Sequence, residues 1–213
     1  MVLKLYGNPH STCTNRVQTV LEELSVPYEL VAIDFSKGEH KAPEFTAVQP
    51  FGQVPYLDDD GFKIFESRAI CRYIALKHGG VEKGLIPATS DLQKTALFEQ
   101  AASIEVSNFD PSASAVTFEN VFKPMFGLTT DPEAVKKLTT TLDGKLAAYN
   151  VLLGKTKYLA GDEVTLADLF HLPYGAMLKA QSIDFLESGK YPNVARWWAD
   201  LSSRSSWKKV KGL

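Results

Sequence analysis

The chain has 213 residues, of which 45% are apolar and 23% charged, with a formal net charge of -2 at pH 7. A chain this long buries a full core without disulfide or metal staples, and it has room for one large domain or two small ones. Residues 1–80 hold 8 Lys+Arg against 10 Asp+Glu and the remainder 15 against 15, so neither half carries the basic surplus of a nucleic-acid binder.

The N-terminal residues run directly into a strand pattern, Val2 to Tyr6, rather than into a signal peptide. The turn residues Gly7, Asn8 and Pro9 close that strand. A helix follows, with Val17, Val20, Leu21 and Leu24 at helical spacing. Tyr28 to Ile33 reads as a second strand. Two strands joined by a helix of that length predict a parallel pair with a right-handed crossover.

After a polar loop, Lys37 to Lys41, residues 43–48 fit one irregular helical turn. Residues 50–55, with two prolines and a glycine, are non-helical. Residues 56–57 and 62–65 flank Asp58-Asp59-Asp60-Gly61, a hairpin signal. Ser67 is expected to cap a helix through Ala69, Ile70, Tyr73 and Ile74.

Gly79, Gly80, Gly84 and Pro87 mark a linker. Beyond it every long segment reads helical: residues 91–106, residues 131–153 with Leu142, Leu146, Tyr149 and Leu153 in register, and a further helix behind the capping-box pattern Thr165 to Asp168. Pro111 breaks the helix pattern across residues 108–118 and leaves their conformation open. The domains expected are residues 1–80, a linker over 81–90, and an all-helical domain over 91–213. No apolar stretch is long enough to span a membrane. Cys13 and Cys71 form no CxxC pair and the four histidines are scattered, so no metal site is expected. Two cysteines in a chain of this size suit a reducing, cytoplasmic compartment.

The order βαβ, ββα, linker, helices resembles the cytosolic glutathione transferases. Phi-class-like strings run through nearly the whole chain. They are Gly7 to Thr12, Gly38 to Lys41, Pro50 to Pro55, Phe65 to Ile70, Tyr158 to Asp162 and Thr165 to Asp168. Any one string is weak; the set in this order is specific. The resemblance implies an α/β thioredoxin-like glutathione-binding domain followed by an all-α helical bundle that supplies the pocket for an apolar electrophile. It implies glutathione as co-substrate with no cofactor, a homodimer with Phe51 wedged into the partner, and a place in detoxification.

Glutathione carries two carboxylates, an amine and a thiol, so its site needs donors at both ends and a thiol-activating group between. Ser67, just before a helix, suits an anion, and Glu66 suits an amine; alone, they read equally as a cap and a solvated acid. The resemblance puts the γ-glutamyl end there, the cysteinyl backbone on Val54 beside a cis Val54–Pro55 bond, and the glycyl carboxylate on His40, Lys41 and Gln53. Ser11, at the start of the first helix, is the expected thiolate donor. Tyr6 is its rival, as some transferase classes use a first-strand tyrosine. His10, Thr12, Phe35, Phe118 and Phe122 are expected to face the electrophile, although aromatic pairs at helical spacing more often pack a core.

Three functions fit these residues: conjugation, with glutathione peroxidase activity as an open addition; a non-enzymatic carrier of apolar molecules; and a thiol–disulfide oxidoreductase. Serine rather than cysteine at position 11 weighs against the last.

Overall fold

The computed structural model describes residues 2–213, which divide into two units: residues 2–86 with Ser205–Leu213, and Pro87–Arg204. The first unit contains β1 (Leu3–Gly7), α1 (Thr12–Glu23), β2 (Tyr28–Ala32), a short 3-10 turn at Glu39–Lys41, α2 (Pro43–Thr46), β3 (Tyr56–Asp59), β4 (Phe62–Phe65) and α3 (Ser67–Lys77). Its sheet runs in the order β2-β1-β3-β4, with β1 and β2 parallel and the other pairs antiparallel. The predicted βαβ and ββα halves thus share one sheet. The β3–β4 hairpin turns on Asp60 and Gly61, at φ 55° and 92°, the positive pair that a two-residue turn between right-twisted strands requires.

Leu5, Val17, Val20, Leu21, Leu57, Ile70 and Ile74 are fully buried and join the sheet to α1 and α3. On another patch Ile33, Phe45 and Tyr56 form a cluster with Tyr6, Val48, Val54 and Phe65. Tyr6 stacks on Tyr56 with ring centroids 4.3 Å apart. Desolvation first, and the nearby Tyr6 second, push the Tyr56 hydroxyl up to about 12.

The all-helical domain expected over residues 91–213 ends earlier than that reading. α11 (Ser205–Lys211) groups with the first unit and packs against α1. Trp207 is 3% exposed, Ser206 donates to Glu23, and Lys209 Nζ lies 2.6 Å from Glu22.

The second unit has α4 (Leu92–Ile104), α5 (Asp110–Thr117), α6 (Lys123–Met125), α7 (Pro132–Leu153), α8 (Leu166–Leu169), α9 (Leu172–Ala180) and α10 (Pro192–Ser203). π-Helical segments, Glu105–Phe109 and Phe118–Phe122, join α4 to α5 and α5 to α6. Each closes with an i→i+5 bond, Asp110 N–H to Glu105 O and Lys123 N–H to Phe118 O. A proline follows each closing residue, Pro111 and Pro124, and falls in the first turn of the next helix. The break expected over 108–118 is therefore a change of helical pitch.

The capping box at Thr165 and Asp168 forms as predicted. Asp168 accepts from the N–H of Leu159 and of Thr165, from the Thr165 hydroxyl and from Trp197 Nε1, all at 2.9–3.0 Å. His171 is fully buried beside it, with Tyr149 O–H on Nε2 at 3.0 Å and Ala167 O 2.9 Å from Nδ1. This arrangement holds the ring neutral, with Nδ1 carrying the proton.

Candidate active site

The loop after β1 is fixed before any ligand arrives. Gly7 lies so close to Thr14 that a Cβ there would come within 2.7 Å of it. Asn8 donates to Ile33 O at 3.0 Å and accepts from His10 N–H at 2.9 Å, tying the ends of β1 and β2 together. Asn15 Nδ2 donates to Pro9 O at 2.8 Å. These bonds deliver Ser11 to the N-cap of α1, half-buried, with its Oγ accepting from Thr14 N–H at 3.3 Å. The Ser11 O–H is left to donate outward beside the positive end of a 12-residue helix. His10 is exposed, Thr12 is buried, and Phe35, 44% exposed, sets its ring at 4.8 Å from that of His40.

A second cluster holds His40, Lys41 and Gln53. Lys41 Nζ donates to Phe51 O at 3.1 Å. Gly52, at φ 59°, lets the chain pass; a Cβ there would meet Lys41 Cδ at 2.7 Å and His40 O at 2.8 Å. The Gln53 side chain is exposed, while its N–H donates to Gln49 Oε1 at 3.1 Å. His40 Nδ1 is buried without a protein partner among the described residues. Burial first, and the neighbouring Lys41 second, lower the pKa of His40. The Val54–Pro55 peptide is cis, as expected.

The third group lies at the start of α3. Here the structure corrects one expectation: Glu66, not Ser67, is the N-cap, and Ser67 is the first helical residue. Glu66 takes φ 71°, ψ 105° and makes no side-chain cap bond. A non-glycine residue there costs about 1–3 kcal/mol, and such costs collect at functional sites. Ser67 is 6% exposed, and its Oγ accepts from Arg16 Nη1 at 2.9 Å. That bond joins the opening turns of α1 and α3, so Ser11 and Ser67 stand on two coupled helix starts.

Phe118 and Phe122 lie in the second unit on a π segment; Phe118 is 42% exposed and Phe122 half-buried. Of the other reactive groups, Tyr6 is engaged in its stack, and burial pushes the Cys71 thiol up to about 12. Sequence reasoning gave Asn8 only as a turn residue and passed over Gln49 and Arg16. For Arg16 a signal existed: it shares a helical face with apolar Val20, one turn on.

The chain matches the family models "Glutathione S-transferase, N-terminal domain" over residues 1–76 and "Glutathione S-transferase, C-terminal domain" over residues 109–205. It is 50% identical over 203 residues to glutathione S-transferase PM239X14 of Arabidopsis thaliana, covering 93% of this chain and 91% of that protein. The crystal structure of glutathione transferase F7 from Populus trichocarpa superposes with a TM-score of 0.92 at 41% identity, covering 99% and 98% of the two chains. Glutathione S-transferase I from mais, solved with an atrazine glutathione conjugate, gives 0.91 at 37% identity, covering 100% and 97%. The chain belongs to the glutathione S-transferase family, as a transferase whose relatives include the plant phi class.

Proposed function

We propose that the chain conjugates the thiolate of glutathione to small apolar electrophiles, with glutathione as co-substrate and no resident cofactor. The observation that carries this reading is Ser11: an N-cap hydroxyl whose oxygen is engaged by Thr14 N–H and whose proton is free to donate. A sulfur anion is the partner such a donor and helix end favour. The thiol proton leaves to solvent, the sulfur attacks the electrophilic carbon, the C–S bond forms and the leaving group departs with its electron pair.

In this reading the γ-glutamyl carboxylate lies on Ser67 and the amine on Glu66. The cysteinyl backbone pairs with Val54, and the glycyl carboxylate meets His40, Lys41 and Gln53. The unpartnered, buried Nδ1 of His40 suits that last role. In the first unit His10, Thr12 and Phe35 contact the electrophile; the mais enzyme's atrazine conjugate supports a small apolar class. A hydroperoxide is a second substrate for the same thiolate: an S–O bond forms, the O–O bond breaks with its electron pair leaving on the alkoxide, which takes up a proton and departs as the alcohol, and a second glutathione thiol resolves the sulfenic acid to disulfide and water. The chain acts as a homodimer in detoxification, and its two free cysteines suit the cytoplasm.

Calorimetry with glutathione tests the placement. Ser67→Ala and Gln53→Ala should each weaken binding by about tenfold, the worth of one hydrogen bond to a charged group. Unchanged affinity in both variants would contradict it.

A further inference from the structure

α1 turns a basic residue into the packed interior. Arg16 is 1% exposed and sits on the helix beside Val17, Val20 and Leu21, all fully buried. Burying a guanidinium is costly unless its donors are used. Nη1 is used twice: it donates to Ser67 Oγ at 2.9 Å and to Cys13 Sγ at 3.5 Å. The backbone at Arg16 is held too, its carbonyl accepting from the Cys71 thiol at 3.7 Å.

The donor inventory gives this contact a direction. A guanidinium has donors and no acceptor, and it keeps its proton throughout the working pH range. A serine hydroxyl has one proton and two lone pairs. With one lone pair of Ser67 taken by Arg16, the hydroxyl proton cannot point back at the guanidinium. It is held for a ligand that only accepts, and an ionised carboxylate is such a ligand. A glutamine at position 16 would present either an amide N–H or a carbonyl and leave that direction undecided.

We propose that Arg16 is a positioning residue for glutathione: it presets the Ser67 hydroxyl as a donor to the γ-glutamyl α-carboxylate without touching the substrate. This rests on the placement of that carboxylate at Ser67 given above. Arg16 thereby acts on recognition of one end of the tripeptide and leaves the thiolate chemistry at Ser11 alone.

The test compares two ligands by calorimetry on the full chain: glutathione, and γ-aminobutyryl-cysteinylglycine, the same tripeptide without the α-carboxylate. Arg16→Met should bind glutathione about tenfold more weakly, as for loss of a charge-assisted hydrogen bond, and bind the analogue within about twofold of the unaltered chain. Its kcat at saturating glutathione should fall by less than about threefold, so that the effect appears in KM. Adding Arg16→Met to Ser67→Ala should cost less than about twofold beyond Ser67→Ala alone.

If Arg16→Met does not fold by circular dichroism, Arg16→Lys carries the same comparison. A loss of about threefold or more with glutathione that vanishes with the analogue supports the proposal. Equal losses with both ligands, or none with either, overturn it and make Arg16 a packing residue. Should Ser67→Ala itself leave glutathione affinity unchanged, the placement of the carboxylate fails and the proposal fails with it. A weakened Ser67→Ala beside an unaffected Arg16 variant overturns the role of Arg16 alone.

Discussion

Ser11 and Cys13 are two residues apart at the start of one helix, and residues so spaced do not share a face. Ser11 caps the helix, whereas the sulfur of Cys13 lies against Arg16 Nη1 at 3.5 Å. A free thiol titrates near ~8.5; were a helix end and one hydrogen bond to lower that of glutathione by about two units, the thiolate fraction at neutral pH would rise roughly 25-fold. The weaker nucleophilicity of a less basic sulfur removes about 6- to 10-fold of that gain. Most of the acceleration must then come from holding the electrophile against the sulfur.

His171 is a residue of a different kind, set apart for stability. Burial lowers its pKa against the opposing pull of Glu105 and Asp168. A histidine with a lowered folded pKa contributes stability above its unfolded value near 6.5, and that stability is lost as pH falls towards the folded value. His40, also lowered by burial, acts in the same direction. Denaturant unfolding should therefore show stability falling from pH 7.5 to 5.5, by at most about 1.4 kcal/mol per pH unit for each proton. His171→Gln should flatten that slope; an unchanged slope would contradict the assignment.

At the scale of elements, α11 shows which force fixes the C-terminal tail. Its ion pair to Glu22 involves a Lys209 side chain that is 71% exposed, and such pairs are worth about 0–1 kcal/mol. Trp207 is 3% exposed, and burial on that scale dominates. Trp207→Ala should cost about 3–5 kcal/mol in denaturant unfolding, while Lys209→Ala should cost under about 1 kcal/mol. The reverse ranking would show that charge, not burial, seats this helix.

The same scale separates what could be read in the sequence from what could not. The strands, α1 and the hairpin follow from local periodicity and turn chemistry, as do Ser11 at its cap and the Thr165–Asp168 box. The seating of α11 did not follow, because a short amphipathic helix does not say which unit receives its tryptophan. The first π segment hid behind Pro111, whose missing N–H reads as a break until an i→i+5 bond resets the pitch. Glu66 was missed as an N-cap because a positive φ in a glutamate is uncommon. The role of Arg16 depends on a contact across 51 residues of sequence, which no local pattern encodes.

For the whole molecule, the exposed aromatics argue for association. Phe51 is 65% and Phe62 51% exposed in the first unit, and Phe51 protrudes from the loop whose carbonyl holds Lys41. Apolar surface of this kind is commonly covered in an isologous twofold dimer. Light scattering at micromolar concentration should give twice the 23.5 kDa chain mass, and Phe51→Ser should shift the population towards monomer. A mass near 23.5 kDa for the unaltered chain would contradict the dimer.

In the proposed reaction a serine hydroxyl holds the substrate's thiolate and no protein thiol takes part. The direct measurement is the rate of glutathione conjugation to an aryl halide for Ser11→Ala and Cys13→Ser, with the thiolate absorbance of bound glutathione titrated against pH. Ser11→Ala should lose about 10-fold or more of the rate while still binding glutathione, with its thiolate titration moved to higher pH. Cys13→Ser should stay within about twofold of the unaltered chain. An active Ser11→Ala beside an inactive Cys13→Ser would contradict the account and make the chain a cysteine-based thiol–disulfide enzyme.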